Sequence, residues 1–121
     1  MININSMSRD FNEVEKYLMT ISPAIKSLKD VEDGESIAIA GYLEFTDVKD
    51  DGTEAEILSI ITPNKEVYSC QSKTFKRSLM DIDKIMNGKP YRIIKISGVT
   101  NAGRPYINCM LDVDSITEIG K

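Results

Sequence analysis

The sequence predicts a mainly β fold: a small five-stranded barrel with one helix between the third and fourth strands, preceded by an N-terminal helical extension. Three observations lead there. From Ser36 onward apolar residues recur with period two in five segments separated by turn-forming residues. One helical stripe, Phe75, Leu79, Ile82 and Met86, interrupts those segments. Gly41 sits in the middle of the first strand, where a strand of a small barrel must bend or bulge.

Within residues 1–34, Asp10 followed by Glu13 has the spacing of a capping box. Phe11, Val14, Tyr17, Leu18 and Ile21 then recur at helical spacing, predicting a helix over 11–20 with Tyr17 on its packing face. Ser22-Pro23 reads as an N-cap followed by proline at the first helical position, opening a short second helix to about Leu28. The segment KDVEDGE is a polar linker. The first strand, SIAIAGYLEF, places Ile37, Ile39 and Leu43 on one face and Ala38, Ala40 and Tyr42 on the other, with Phe45 in the core. Asp51-Gly52 is a hairpin turn, AEILSIITP the second strand, TPNKE a turn, and VYSCQS the third strand. The helix of SKTFKRSLMDIDKIMNGKP is capped by Ser72 or Thr74 and stopped by Gly88 and Pro90. YRIIKISGV and YINCMLDV are strands four and five, joined by the Asn-Ala-Gly turn. With Ile94 and Ile96 in the core, Tyr91, Ile93 and Lys95 face outward. With Ile107, Cys109, Leu111 and Val113 inward, Tyr106 and Asn108 face outward. This order of elements is that of an OB-fold barrel over 35–121, with 1–34 as the helical extension. The second reading is a generic α+β sheet with helices on one face.

A chain of 121 residues, 41% hydrophobic and 28% charged, describes one ordinary globular domain. No apolar run has the length of a membrane span, and the polar start MININSMSRDFNE is no signal peptide, so no membrane partner is expected. Cys70 and Cys109 are too few for a disulfide scaffold and read as buried thiols in a reducing compartment, placing the protein in the cytoplasm.

Catalysis has little to stand on. There is no histidine, which removes the commonest general base and metal ligand. Placing Gly52 at the glycine of a calcium loop puts Asp47 and Asp51 at ligand positions, but Lys49 and Leu58 stand where two other ligands belong. The carboxylates of that hairpin read as a solvated turn. Asp81 and Asp83 point in different directions on a helix, no serine sits in a nucleophile elbow, and no glycine loop cradles a phosphate. Neither an enzyme, a cofactor nor a metal site is expected. The remaining metal-dependent alternative would rest on Asp47, Asp50, Asp51 and Glu54.

The net charge of −4 hides an asymmetry: residues 35–56 carry one basic and seven acidic groups, residues 57–109 nine basic and three acidic. An acidic chain with a basic stretch of this kind points to a polyanionic partner. Proteins that hold single strands combine cations along the backbone with aromatic faces that stack on bases. The candidates here are Tyr42, Lys65, Tyr68, Gln71, Lys73, Lys76, Arg77, Tyr91, Lys95, Arg104, Tyr106 and Asn108. Lys73, Lys76 and Arg77 run against the dipole at their helix start, a small penalty that favours a functional reason for them. The structural alternative is a wet helix face and strand tyrosines selected for β-propensity alone.

QSKTFKRSLMDI and GVTNAGRPYINCML resemble segments of small phage-type single-stranded DNA-binding proteins, in a match over roughly residues 66–112. A Ser-Lys-Thr-Phe-like helix start, a Gly-x-Thr-x-x-Gly-Arg-x-Tyr turn and a cysteine-containing last strand carry the likeness. It implies an OB fold and the cooperative coating of displaced single strands during phage or plasmid replication; separately, replication proteins are candidate partners. On this chain it points to Gln71, Lys73, Thr74, Phe75, Arg77, Gly103, Arg104 and Tyr106, of which Phe75 and Gly103 read as structural. The likeness stops at the end: DVDSITEIGK has no acidic, aromatic-tipped tail of the bacterial type, so recruitment by that route is not expected. The residues leave DNA and RNA both open, as they do oligomerisation. A protein-interaction adaptor of a replication complex, using the N-terminal helices, is the alternative function.

Overall fold

A computed structural model describes residues 1–115; the end of the DVDSITEIGK segment, from residue 116, lies outside the described residues. The elements are β1 (Ile2–Met7), α1 (Glu13–Thr20), β2 (Lys26–Ser27), a 3₁₀ turn (Leu28–Asp30), β3 (Ser36–Ile39), β4 (Gly41–Val48), β5 (Glu54–Ile61), β6 (Val67–Cys70), α2 (Lys73–Met86), β7 (Tyr91–Val99) and β8 (Pro105–Leu111). The fold is mainly β, with a five-stranded sheet in the order β1-β4-β5-β6-β2 and a three-stranded sheet in the order β3-β7-β8. Neither set of hydrogen-bonded ladders closes into a barrel among the described residues. The chain divides into two compact units: Met1–Leu28 with Ala40–Gln71, and Lys29–Ile39 with the described residues from Ser72 onward.

The first unit is built around β4 and β5, paired from Gly41↔Ile61 to Val48↔Glu54. Phe11, Met19, Leu43, Phe45, Ile61 and Val67 form its core, with α1 on this face of the sheet and the Ser59 hydroxyl donating to the Met19 carbonyl at 2.6 Å. The expected parity of β4 holds, and Phe45 is core. The Asp51-Gly52 turn is present, with Gly52 at φ +89° and the Asp51 carboxylate accepting from the Thr53 amide and hydroxyl. The expected interruption is a bend at Ala40, directly before Gly41, rather than a bulge, and Gly41 also makes room for a ring: a Cβ on it would stand 2.7 Å from the Phe11 ring.

Several expectations for residues 1–34 are corrected. Ile2–Met7 is a strand, paired with β4 with an irregularity between Ile4 and Ser6, so this stretch is not wholly helical. The capping box is Asn12–Glu15, not Asp10–Glu13: the Asn12 side chain accepts from the Glu15 amide at 2.8 Å and Glu15 accepts from the Asn12 amide at 3.1 Å. The same spacing of three occurs twice, and the later pair wins because Phe11 is then free to enter the core ahead of the helix. The helix is thereby rotated: Glu15 and Met19 are buried, while Val14, Tyr17 and Ile21 are exposed, so Tyr17 is not a packing residue. No second helix follows Ser22-Pro23; a turn leads to the two-residue β2, parallel to β6.

In the second unit, β7 pairs with β3 on one side and β8 on the other. Ser72 is the N-cap of α2, accepting from the Phe75 amide at 3.1 Å. Asn87 at φ 49° and Gly88 at φ +86° end the helix in left-handed geometry. Phe75 and Leu79 are buried, Ile82 and Met86 half-buried, as the stripe predicts. The parity expected of β7 is reversed. Tyr91, Ile93 and Lys95 are buried, and Ile94 and Ile96 lie half-buried on the opposite face. In β8, Ile107 and Cys109 are inward, Leu111 is half-buried, and Val113, past the strand end, is exposed rather than inward. Both cysteines are buried thiols.

Candidate nucleic-acid interface

The Gly-x-Thr-x-x-Gly-Arg motif spans the end of β7 and the turn into β8. Thr100 and Arg104 are joined by a backbone hydrogen bond of 2.9 Å, and the Gly103 amide donates to the Thr100 carbonyl at 2.9 Å. Gly103 takes φ +82°, a conformation that disfavours side chains, and the Arg104 amide donates to the Thr100 hydroxyl at 3.1 Å. Threonine and glycine thus fix the backbone from which Arg104 projects, exposed. Pro105 opens β8, an edge strand, where its missing N–H costs little. Tyr106 follows, 39% exposed, and Asn108 is half-buried on the same outward face, its side chain accepting from the Cys109 amide.

The inward face of β8 meets the start of α2. The Ser72 hydroxyl donates to the Ile107 carbonyl at 3.2 Å, and the Cys109 thiol lies 3.9 Å from the Phe75 carbonyl. One N-cap residue therefore both starts the helix and ties it to the strand. Lys73 and Arg77 are exposed on the flank opposite the buried stripe, and Lys76 is half-exposed at its side. Lys84, not among the sequence candidates, continues the same flank, exposed. The first turn of α2 holds no acidic residue. The edge strand β8 thus stands between an outward face bearing Tyr106 and Asn108 and a helix bearing cations.

Other candidates are placed differently. The Lys95 side chain is only 6% exposed; its Nζ donates to the Val31 carbonyl at 2.7 Å and lies 3.2 Å from Asp33. Asp33 is held below the usual carboxylate range by the Ser97 hydroxyl and by Lys95. Tyr91 is buried, its hydroxyl donating to Asp83 at 2.8 Å. Neither faces solvent, which corrects the outward reading of both.

Tyr42, Lys65, Tyr68 and Gln71 belong to the first unit. Tyr42 and Tyr68 flank the buried Ile60 in one row across β4, β5 and β6. Both are half-buried; the Lys26 ammonium stands 5.5 Å from the Tyr68 ring centroid, and Tyr68 donates to Glu66 at 3.3 Å. Lys65 donates to Glu15 at 2.9 Å, beside Arg9 at 3.2 Å from the same carboxylate. With the Asn12 amide, these hold the Glu15 carboxyl down to about 2, from an ordinary 4.5. Gln71 is exposed just ahead of Ser72.

Sequence reasoning missed Arg9. It donates to the Ala40 carbonyl at 2.8 Å and stacks 4.4 Å from the Phe11 ring centroid, but nothing in its neighbours' spacing signals this. No group of three or more metal-ligating side chains occurs among the described residues, and no helix there is long and apolar enough to cross a membrane. Comparison of the chain with protein families, curated proteins and solved structures finds no significant match.

Proposed function

We propose that this protein binds single-stranded DNA without sequence preference, along the edge strand β8. One observation carries the reading: the turn that fixes Arg104 delivers an exposed Tyr106 onto the outward face of an edge strand whose inward side is tied to a basic helix start. A single strand running along β8 meets Arg104 at the turn and stacks a base on Tyr106, while Lys73, Lys76 and Arg77, on the helix packed against the inward side, add positive potential at longer range. Base–aromatic stacking contributes roughly 1–3 kcal/mol per base. The resemblance to phage-type single-stranded DNA-binding proteins supports the same reading and supplies its setting, the coating of displaced strands during phage or mobile-element replication.

An OB fold belongs to this proposal. From Ser36 the order is three strands, a helix and two strands, if β3 and β4 are counted as one strand interrupted at Ala40. That interrupted strand pairs with β7 before the break and β5 after it. Both features support the OB reading.

Fluorescence anisotropy with labelled oligo-dT against a duplex of equal length, over a salt series, tests the function. Single-strand binding that weakens steeply with salt is expected. No binding at low salt overturns the reading and favours the adaptor. The adaptor has its own support in the exposed stripe Val14 (66%) and Tyr17 (48%) of α1 with its C-cap Ile21 (62%). It requires partner binding that survives loss of the basic residues.

A further inference from the structure

Tyr106 pairs directly with Gly98 across β7 and β8. A Cβ built on Gly98 would stand 2.6 Å from the Tyr106 hydroxyl oxygen, 2.8 Å from Cζ and 3.0 Å from Cε1. The far end of the ring therefore lies over the glycine backbone, in the space that any other side chain would fill. Gly98 has no left-handed backbone angle, so the conformation of β7 does not require glycine there. What requires it is the ring. An exposed tyrosine on an edge strand samples several rotamers, and fixing one of them before ligand arrives removes an ordering cost from binding.

We infer that Gly98 is a positioning residue: by leaving room on β7 it lets the Tyr106 ring lie down across the sheet, with its outer side presented as a stacking platform for one base. The inference rests on the single-strand-binding reading and adds to it the residue that sets the geometry of the platform. The atoms that a Cβ would meet are the free end of a side chain rather than backbone. Gly98→Ala therefore displaces the ring and leaves the strand pairing intact.

The test is anisotropy with labelled oligo-dT on the full chain, for wild type, Gly98→Ala, Tyr106→Phe, Tyr106→Ala and the Gly98→Ala/Tyr106→Ala pair, each checked by circular dichroism. Tyr106→Phe keeps the ring and binds within about twofold of wild type, while Tyr106→Ala loses on the order of tenfold, as removal of one stacked base predicts. Gly98→Ala alone loses several-fold, yet in the Tyr106→Ala background the same change has no effect, because no ring is left to displace. A second readout needs no ligand: the Gly98 α-proton resonances are shifted by the ring in wild type and return to ordinary values in Tyr106→Ala. Wild-type binding with Gly98→Ala at full affinity overturns the inference and leaves the function standing, as does equal loss from Gly98→Ala in both backgrounds. No effect of Tyr106→Ala on binding also overturns it. Failure of wild type to bind any single strand removes the function and the inference together.

Discussion

Glu15 and Lys95 show how a single buried charge is made tolerable. Glu15 is surrounded by donors from three places in the chain: the Lys65 ammonium, the Asn12 amide and the Arg9 guanidinium. Its carboxyl titrates at about 2 in the folded protein against an ordinary 4.5. A carboxyl whose folded value is depressed stabilises the fold above its unfolded value, and that contribution fades as pH falls through the folded one. The urea midpoint of Glu15→Gln is therefore expected to lie below that of wild type at pH 7, with the gap closing from pH 4.5 toward 2. A gap independent of pH would show that the carboxylate does not act through its charge. Lys95 is held by the Val31 carbonyl and Asp33. Lys95→Met leaves the buried carbonyl without its donor and is expected to cost about 1–3 kcal/mol in urea unfolding. Its affinity for oligo-dT stays at the wild-type value, since the group it removes never reaches the surface.

At the scale of elements, two small residues do work that their neighbours cannot. Ser72 caps α2 and ties it to Ile107 in β8. Ser72→Ala is expected to lower stability by about 1 kcal/mol for the cap. It also loosens the cationic helix start from the strand, so oligo-dT affinity falls with it. Gly41 lies under the Phe11 ring, where a methyl group would stand 2.7 Å from ring carbon. That ring is buried and held by Arg9. Gly41→Ala is expected to destabilise by about 1–3 kcal/mol through overpacking, read in the thermal midpoint, without change in oligo-dT affinity per folded molecule. The contrast with Gly98 is physical: the ring over Gly41 is enclosed and cannot move, while the ring over Gly98 has solvent on its other side.

For the molecule as a whole, charge sets the terms of the proposed association. A net charge of −4 opposes binding to a polyanion at long range, so the proposed single-strand binding relies on the local cations of the second unit. The Lys73→Gln/Arg77→Gln/Arg104→Gln variant is expected to weaken oligo-dT binding. It is also expected to flatten the plot of log affinity against log salt, by roughly 0.7 for each phosphate that is no longer neutralised. An unchanged slope would mean that these three residues do not meet the backbone of the strand.

Much of this was legible in the residues themselves. The β4 parity, the Asp51-Gly52 turn, the Ser72 cap and the α2 stripe depend on neighbours a few positions apart, and local spacing determines them. Gly103 likewise announced its turn. Tertiary structure alone decided which of two apolar parities of β7 would be buried. YRIIKISGV has Tyr91 and Ile93 on one face and Ile94 and Ile96 on the other, and Lys95 argued against the first. The first face won because Val31 and Asp33, more than sixty residues away, satisfy the ammonium. The same holds for Gly98, whose proposed role depends on a ring across the sheet, whereas β1 carried a local strand signal in the alternation of Ile2 and Ile4 with Asn3 and Asn5. Local pattern determines which elements form; which face is buried is settled by partners distant in sequence, because a buried polar group is tolerated only where the fold brings it a partner.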